Sequence, residues 1–222
     1  MYEEYRAVPK LEKAIADLDR RKLFACPEEI TRTIAAAEQV PGADAIQARV
    51  EPDLNDAIAS GDPVAIFEAA KWQAVFGESK PSAVAQDRSL RILLGLLLTR
   101  YDWQAAHEAV AAEMRRVGAR LEAACAAVRP DADPQGLGQE QLEPWQQIPG
   151  LAAELDQLLE IAAICSGAVT GSSIKLSDPR QTFYLVSDEP GAVQHWIAPQ
   201  TRRGGRWAAL MRAGFSLNPR LV

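Results

Sequence analysis

Between Pro9 and Phe24 the apolar residues Leu11, Ile15 and Leu18 recur every three or four positions with charges between them, and Val8 extends the stripe backwards. That spacing predicts an amphipathic helix. Cys26-Pro27-Glu28-Glu29 reads as the start of a second helix, because proline is tolerated at the first helical position and acids complement the unpaired amides of the first turn. Its apolar face is Ile30, Ile34, Ala37 and Val40, and Pro41-Gly42 ends it. A short helix around Leu54 to Ile58 ends at Gly61, and Asp62-Pro63 opens another that runs to Gly77. Aspartate caps amides and glycine takes the left-handed closing conformation.

Pro81 opens a longer helix whose second half, Leu90 to Leu98, is apolar on nearly every side, which predicts a central rod enclosed by other helices. At Tyr101-Asp102-Trp103 the helix either breaks, with Asp102 capping the next one, or continues. Beyond it Trp103, Val110, Val117 and Ala124 recur every seven residues, and His107, Met114, Leu121 and Val128 form a second such series. These are the two positions of a heptad seam. Pro130 ends the pattern, and the prolines and glycines from Pro130 to Pro149 predict a long irregular loop. Leu151, Leu155, Leu158 and Ala162 then give a matching stripe, so this helix is expected to fold back antiparallel on the heptad helix.

From Cys165 to Ser173 helix propensity gives way to small residues, and Thr182 to Val186 is β-branched and aromatic. With a turn at Asp188-Glu189-Pro190-Gly191 and a returning segment Val193 to Ile197, a small β-hairpin is the preferred reading, and a short helix from Pro190 the alternative. Gly204-Gly205 reads as a flexible joint before a turn of helix at Arg206 to Arg212. The expected fold is mainly α: a multi-helix bundle with an antiparallel coiled-coil-like helical hairpin and a small β-containing or irregular C-terminal segment. Its expected parts are a helical body over 1–165, an irregular or β-hairpin segment over 166–200 and a basic arm over 201–222.

Composition supports the helical class. Hydrophobic residues make up 48% of the chain but aromatics only 6%, so alanine and leucine, strong helix formers, supply most of the core. The longest apolar run, Ile92 to Leu98, is too short to span a bilayer, so no membrane contact is expected. The charged start Met1-Tyr2-Glu3-Glu4-Tyr5-Arg6 lacks the apolar centre of a signal peptide, which points to a cytoplasmic location. Cys26, Cys125 and Cys165 are far apart and fit buried thiols better than a disulfide frame.

Charge changes the picture at the end of the chain. With the whole chain at −6 and five arginines but no acid after Glu189, the first 189 residues carry −11. Arg202, Arg203, Arg206, Arg212 and Arg220 stand near Trp207 and Phe215, which makes these seven the expected partner-contact residues. Guanidinium forks suit carboxylates or phosphates, and the aromatics suit apolar pockets or bases.

No catalytic motif is present. His107 lies on the heptad seam, where a polar residue sets register. His195 follows Asp188 and Glu189, and a site with Cys165 or the Ser172-Ser173 pair would need them close in space, outside any recognisable catalytic frame. The run Gly167 to Lys175 has three residues between its glycines where a phosphate loop has four. Two distant histidines and three scattered cysteines supply no local metal-ligand set, so neither metal nor cofactor is expected. The resulting expectation is a non-enzymatic structural or assembly protein, a subunit of a larger complex such as a phage virion, docking on protein subunits, its own copies or others, through residues 201–222. A nucleic-acid-associated helical protein using the same arm is the alternative, and a small enzyme near His195 the third class. A freely projecting arm also implies that its removal leaves helix content nearly intact.

Overall fold

The computed structural model describes residues 7–38, 55–77, 81–172, 174–198 and 203–221. Val40, Pro41-Gly42, Leu54, Ser173 and Arg202, to which the sequence assigns roles, lie outside them. The protein is mainly helical, and among the described residues there is no strand. It divides into two compact units, one formed by residues 1–9 and 27–101 and the other by 10–26 and 102–222.

In the first unit, α2 (Glu28–Glu38), a helical run at 55–60, α3 (Pro63–Gly77) and α4 (Pro81–Arg100) follow in order, and α4 packs against both α2 and α3. The aspartate-proline start of α3 works as its sequence predicts: Asp62 Oδ1 accepts from the Val64 amide at 2.9 Å, and Gly61 closes the preceding turn at φ 67°. Ile30, Ala57, Leu93, Leu97 and Tyr101 are buried. The enclosed central rod is not what forms. Leu93 and Leu97 are buried, but Ile92 is 56% and Leu98 41% exposed, so α4 buries one stripe rather than its whole circumference. Val64 and Phe67 are exposed in the same unit.

The second unit is built on α5 (Trp103–Ala127) and α6 (Gln139–Thr170), which make its most extensive helix pairing. The break at Tyr101-Asp102-Trp103 is real: Asp102 Oδ1 accepts from the Ala105 amide at 2.9 Å and starts α5. All eight heptad positions are buried, from Trp103 and His107 to Ala124 and Val128. Leu151, Leu155, Leu158 and Ala162 of α6 are buried too. α1 (Ala7–Arg20) stops four residues short of Phe24, where Leu23 donates to the Leu18 carbonyl at 3.0 Å and Lys22 takes a positive φ of 56°. Its buried residues Leu11, Ile15 and Leu18 belong to this unit, tied to α6 by Lys13–Glu160 at 3.8 Å and by Arg21 donating to Gln157.

Three further stretches depart from the sequence expectation. The long loop is shorter than predicted, because α6 begins at Gln139, with a 3-10 turn at Pro134–Gly136 before it, and carries Pro144 and Pro149 inside. Gln141 Oε1 accepts from the Gly138 amide at 3.3 Å, and Ile148 is fully buried, so tertiary packing of this first part of α6 overrides the proline penalty. At the other end α6 does not stop at Cys165. It runs to Thr170 and closes at Gly171 with φ 72°, while Gly167 lies where a Cβ would come within 2.8 Å of the Ser172 carbonyl oxygen.

The predicted β-hairpin is replaced by helix. α7 (Pro179–Tyr184), a 3-10 turn (Pro190–Ala192) and α8 (Val193–Ile197) occupy Thr182–Val186 and Val193–Ile197, apart from the turn residues Leu185 and Val186. The deciding signal is Asp178-Pro179, in which Asp178 Oδ1 accepts from the Arg180 amide at 2.9 Å. That cap with proline at the first helical position outweighs β propensity. Short helices then bury Phe183 and Trp196, and the Trp196 indole donates to Thr182 Oγ1 at 3.2 Å.

Candidate interaction site in the C-terminal segment

Residues 203–221 belong to the second unit, and their single helix, α9 (Gly205–Arg212), packs against α5, α6 and α8. Its sequence explains this seating. Trp207, Ala208, Leu210 and Met211 are buried at helical spacing, leaving Arg206 and Arg212 towards solvent. Gly204, with φ 83°, starts the helix, and its amide neighbourhood is tight: a Cβ there would stand 2.7 Å from Ile148 Cγ2 and 2.8 Å from Ala208 Cβ. Gly205 also has a positive φ, 56°, but nothing lies within 4 Å of its would-be Cβ. The glycine pair is therefore a shaped turn against α6, where the sequence suggested a loose joint.

Each described cation of the segment meets a group of its own unit. The Arg203 guanidinium lies 3.6 Å over the Trp145 ring, and that of Arg206 lies 4.7 Å over Trp196. Arg206 is also 3.7 Å from Asp156, Arg212 is 3.7 Å from Asp131, and Arg220 pairs with Asp188. Trp207 is the anchor, its indole donating to Asp156 Oδ1 at 2.8 Å and its ring meeting Trp196 edge-on at 4.7 Å. Phe215 is half-buried, 5.5 Å from the His195 ring. Beyond it, Leu217 is buried against Gly118, whose missing Cβ makes room for it, and the Asn218 amide donates to the Val186 carbonyl at 2.8 Å.

Sequence reading picked out the cations and rings but not their seats: Asp131, Asp156, Asp188, Trp145 and Gly118. The usable signal was the spacing of Trp207, Leu210 and Met211, which marks an amphipathic turn that needs a surface to bury against.

The thiols and histidines differ in their surroundings. Cys165 is fully buried, and burial pushes its thiol up to about 12, which keeps it protonated and unreactive at neutral pH. Cys125 is raised by burial as well, with Arg212 opposing the effect. His195 is exposed beside Phe215, and the Ser172 amide donates to Thr170 Oγ1 at 3.3 Å. Among the described residues no group of three or more His, Cys, Asp or Glu side chains is placed to hold a metal ion, and no helix is long and apolar enough to cross a membrane. Comparison with family models, with curated proteins and with solved structures finds no match to this chain.

Proposed function

We propose that the protein is a non-enzymatic structural or assembly component, a subunit of a larger complex, which docks on an acidic protein surface through its C-terminal basic segment. The observation that supports this reading is the way the segment's outer cations are held. Arg212 and Arg220 keep 29% and 56% of their side chains exposed, and their carboxylate partners Asp131 and Asp188 are likewise part-exposed. Ion pairs of this kind contribute about 0–1 kcal/mol, so exchange for a partner's carboxylates costs little.

The buried Trp207 fixes the segment's backbone beneath those cations. A surface already ordered before binding loses less conformational entropy on association than a loose tail does. The acidic remainder of a second copy, at −11 over its first 189 residues, offers a complementary surface.

Light scattering on the full chain and on the double variant Arg212→Gln, Arg220→Gln tests this. The full chain is expected to associate at low salt and to dissociate as salt rises, and the variant to stay monomeric with the same helix content. A monomer in both at every salt, with no association with other protein subunits, rules the reading out.

A further inference from the structure

The three most exposed large apolar side chains among the described residues come from one hairpin of the first unit: Val64 at 70%, Phe67 at 68% and Ile58 at 57%. Val64 and Phe67 stand three residues apart on α3 and so share a face. Ile58 lies at the turn into that helix, where its carbonyl accepts from the Gly61 amide at 3.2 Å. α3 is apolar on nearly every side, with Glu68 and Lys71 its only charged residues, and a helix of that composition is normally enclosed. Here none of residues 63–70 is fully buried: Ala65, Ile66 and Ala69 are half-buried, and Val64 and Phe67 face solvent.

The charges around this face restrict what it can meet. Asp56, Asp62 and Glu68 are exposed on the same hairpin, and no lysine or arginine stands between Arg49 and Lys71. Two such faces together would oppose acid to acid, so the complement is a surface that sets cations beside an apolar group. The C-terminal segment carries one. Arg212 and Arg220 are part-exposed, and Phe215, between them in sequence, is half-buried. Phe215 lies by Gly191 and His195, and Arg220 by Asp188, so ring and guanidinium flank one short stretch of chain.

We propose that the face formed by Ile58, Val64 and Phe67 is the surface on which a second copy seats Arg212, Phe215 and Arg220. This rests on the docking proposed above and identifies the place on the copy that receives it. Exposed ion pairs alone are weak, so the apolar side chains supply most of the affinity by leaving water. Asp56 and Asp62 supply carboxylate oxygens for the guanidinium forks and so decide which surface of the copy is chosen. The two surfaces are unlike, so a copy defective in one still carries the other.

Light scattering at low salt on the double variant Val64→Gln, Phe67→Gln tests this, since the change removes apolar side chains from exposed helical positions and leaves the charge alone. The variant is expected to keep its helix content and to associate about tenfold more weakly than the natural chain, or weaker still. Mixed one to one with Arg212→Gln, Arg220→Gln, at a concentration where neither variant associates alone, it is expected to form a pair, because each supplies the surface that the other lacks. If the natural chain associates and the Val64→Gln, Phe67→Gln variant does so as strongly, or the mixture stays monomeric, this surface is overturned and the docking proposal stands. A natural chain that is monomeric at every salt overturns it as well, and the docking proposal falls with it only if no other protein subunit associates. Hydrogen exchange of the natural chain at low and high concentration is a check independent of the variants. Added protection at residues 58–68 together with 212–220 is expected on association, and association without it at 58–68 overturns the proposal.

Discussion

Trp207→Ala is expected to destabilise the second unit by about 3–5 kcal/mol, the range for removing a large buried aromatic side chain. Trp207 is 1% exposed, meets Trp196 edge-on and donates to Asp156, so the substitution leaves a cavity between α9 and α6 and removes both contacts. Asp156 is half exposed and regains its bond from water, which leaves the packing as the dominant loss. Urea unfolding followed by far-ultraviolet circular dichroism measures the shift. A loss under about 1 kcal/mol would mean that the tryptophan is not seated as described.

A single methyl group added at Gly204 should cost nearly as much. Gly204→Ala forces an L-residue into φ 83°, at about 1–2 kcal/mol, and drives its Cβ into Ile148 and the Ala208 side chain, at about 1–3 kcal/mol more. The adjacent substitution Gly205→Ala meets only the backbone term, about 1–2 kcal/mol, since nothing lies within 4 Å of its Cβ. The difference between neighbours is the informative quantity. A loose joint would tolerate both changes equally, whereas a shaped turn against α6 penalises the first more.

The parts of the fold that were legible in the sequence are those where local chemistry and burial agree. Asp62 caps the helix its sequence announces, Asp102 caps the helix after the break that the sequence left open, and the seven-residue series from Trp103 to Val128 is buried at every position. Elsewhere two signals conflicted and the structure shows which wins. Pro144 and Pro149 suggested a loop, but burial of Ile148 carries the helix through them. Thr182 to Val186 suggested a strand, but the Asp178-Pro179 start and the burial of Phe183 make it mostly helix. The Leu90 to Leu98 run suggested a fully enclosed helix because composition reports apolar character without saying how many neighbours will cover it.

The candidate site was legible by residue type and illegible by contact. Charge counting separates the basic end of the chain from the rest and groups Arg206, Arg212 and Arg220 within it. It does not reveal that Asp131, Asp156 and Asp188 lie opposite them, because those aspartates are 81, 50 and 32 residues away along the chain, respectively. Long-range pairing of that kind is set by how α5, α6 and α9 pack, which no local pattern encodes.

The central claim is that residues 203–221 are a folded part of the helical unit. The most direct test is urea unfolding of the full chain against a chain ending at Gln200, followed by far-ultraviolet circular dichroism. Removing the segment strips Trp207, Leu210, Met211 and Leu217 from the core, so the truncated chain is predicted to lose more than about 3 kcal/mol of stability and to unfold at lower urea. A truncated chain with the same midpoint and slope as the full one, its helix content nearly intact, would contradict the claim and return the segment to a free arm.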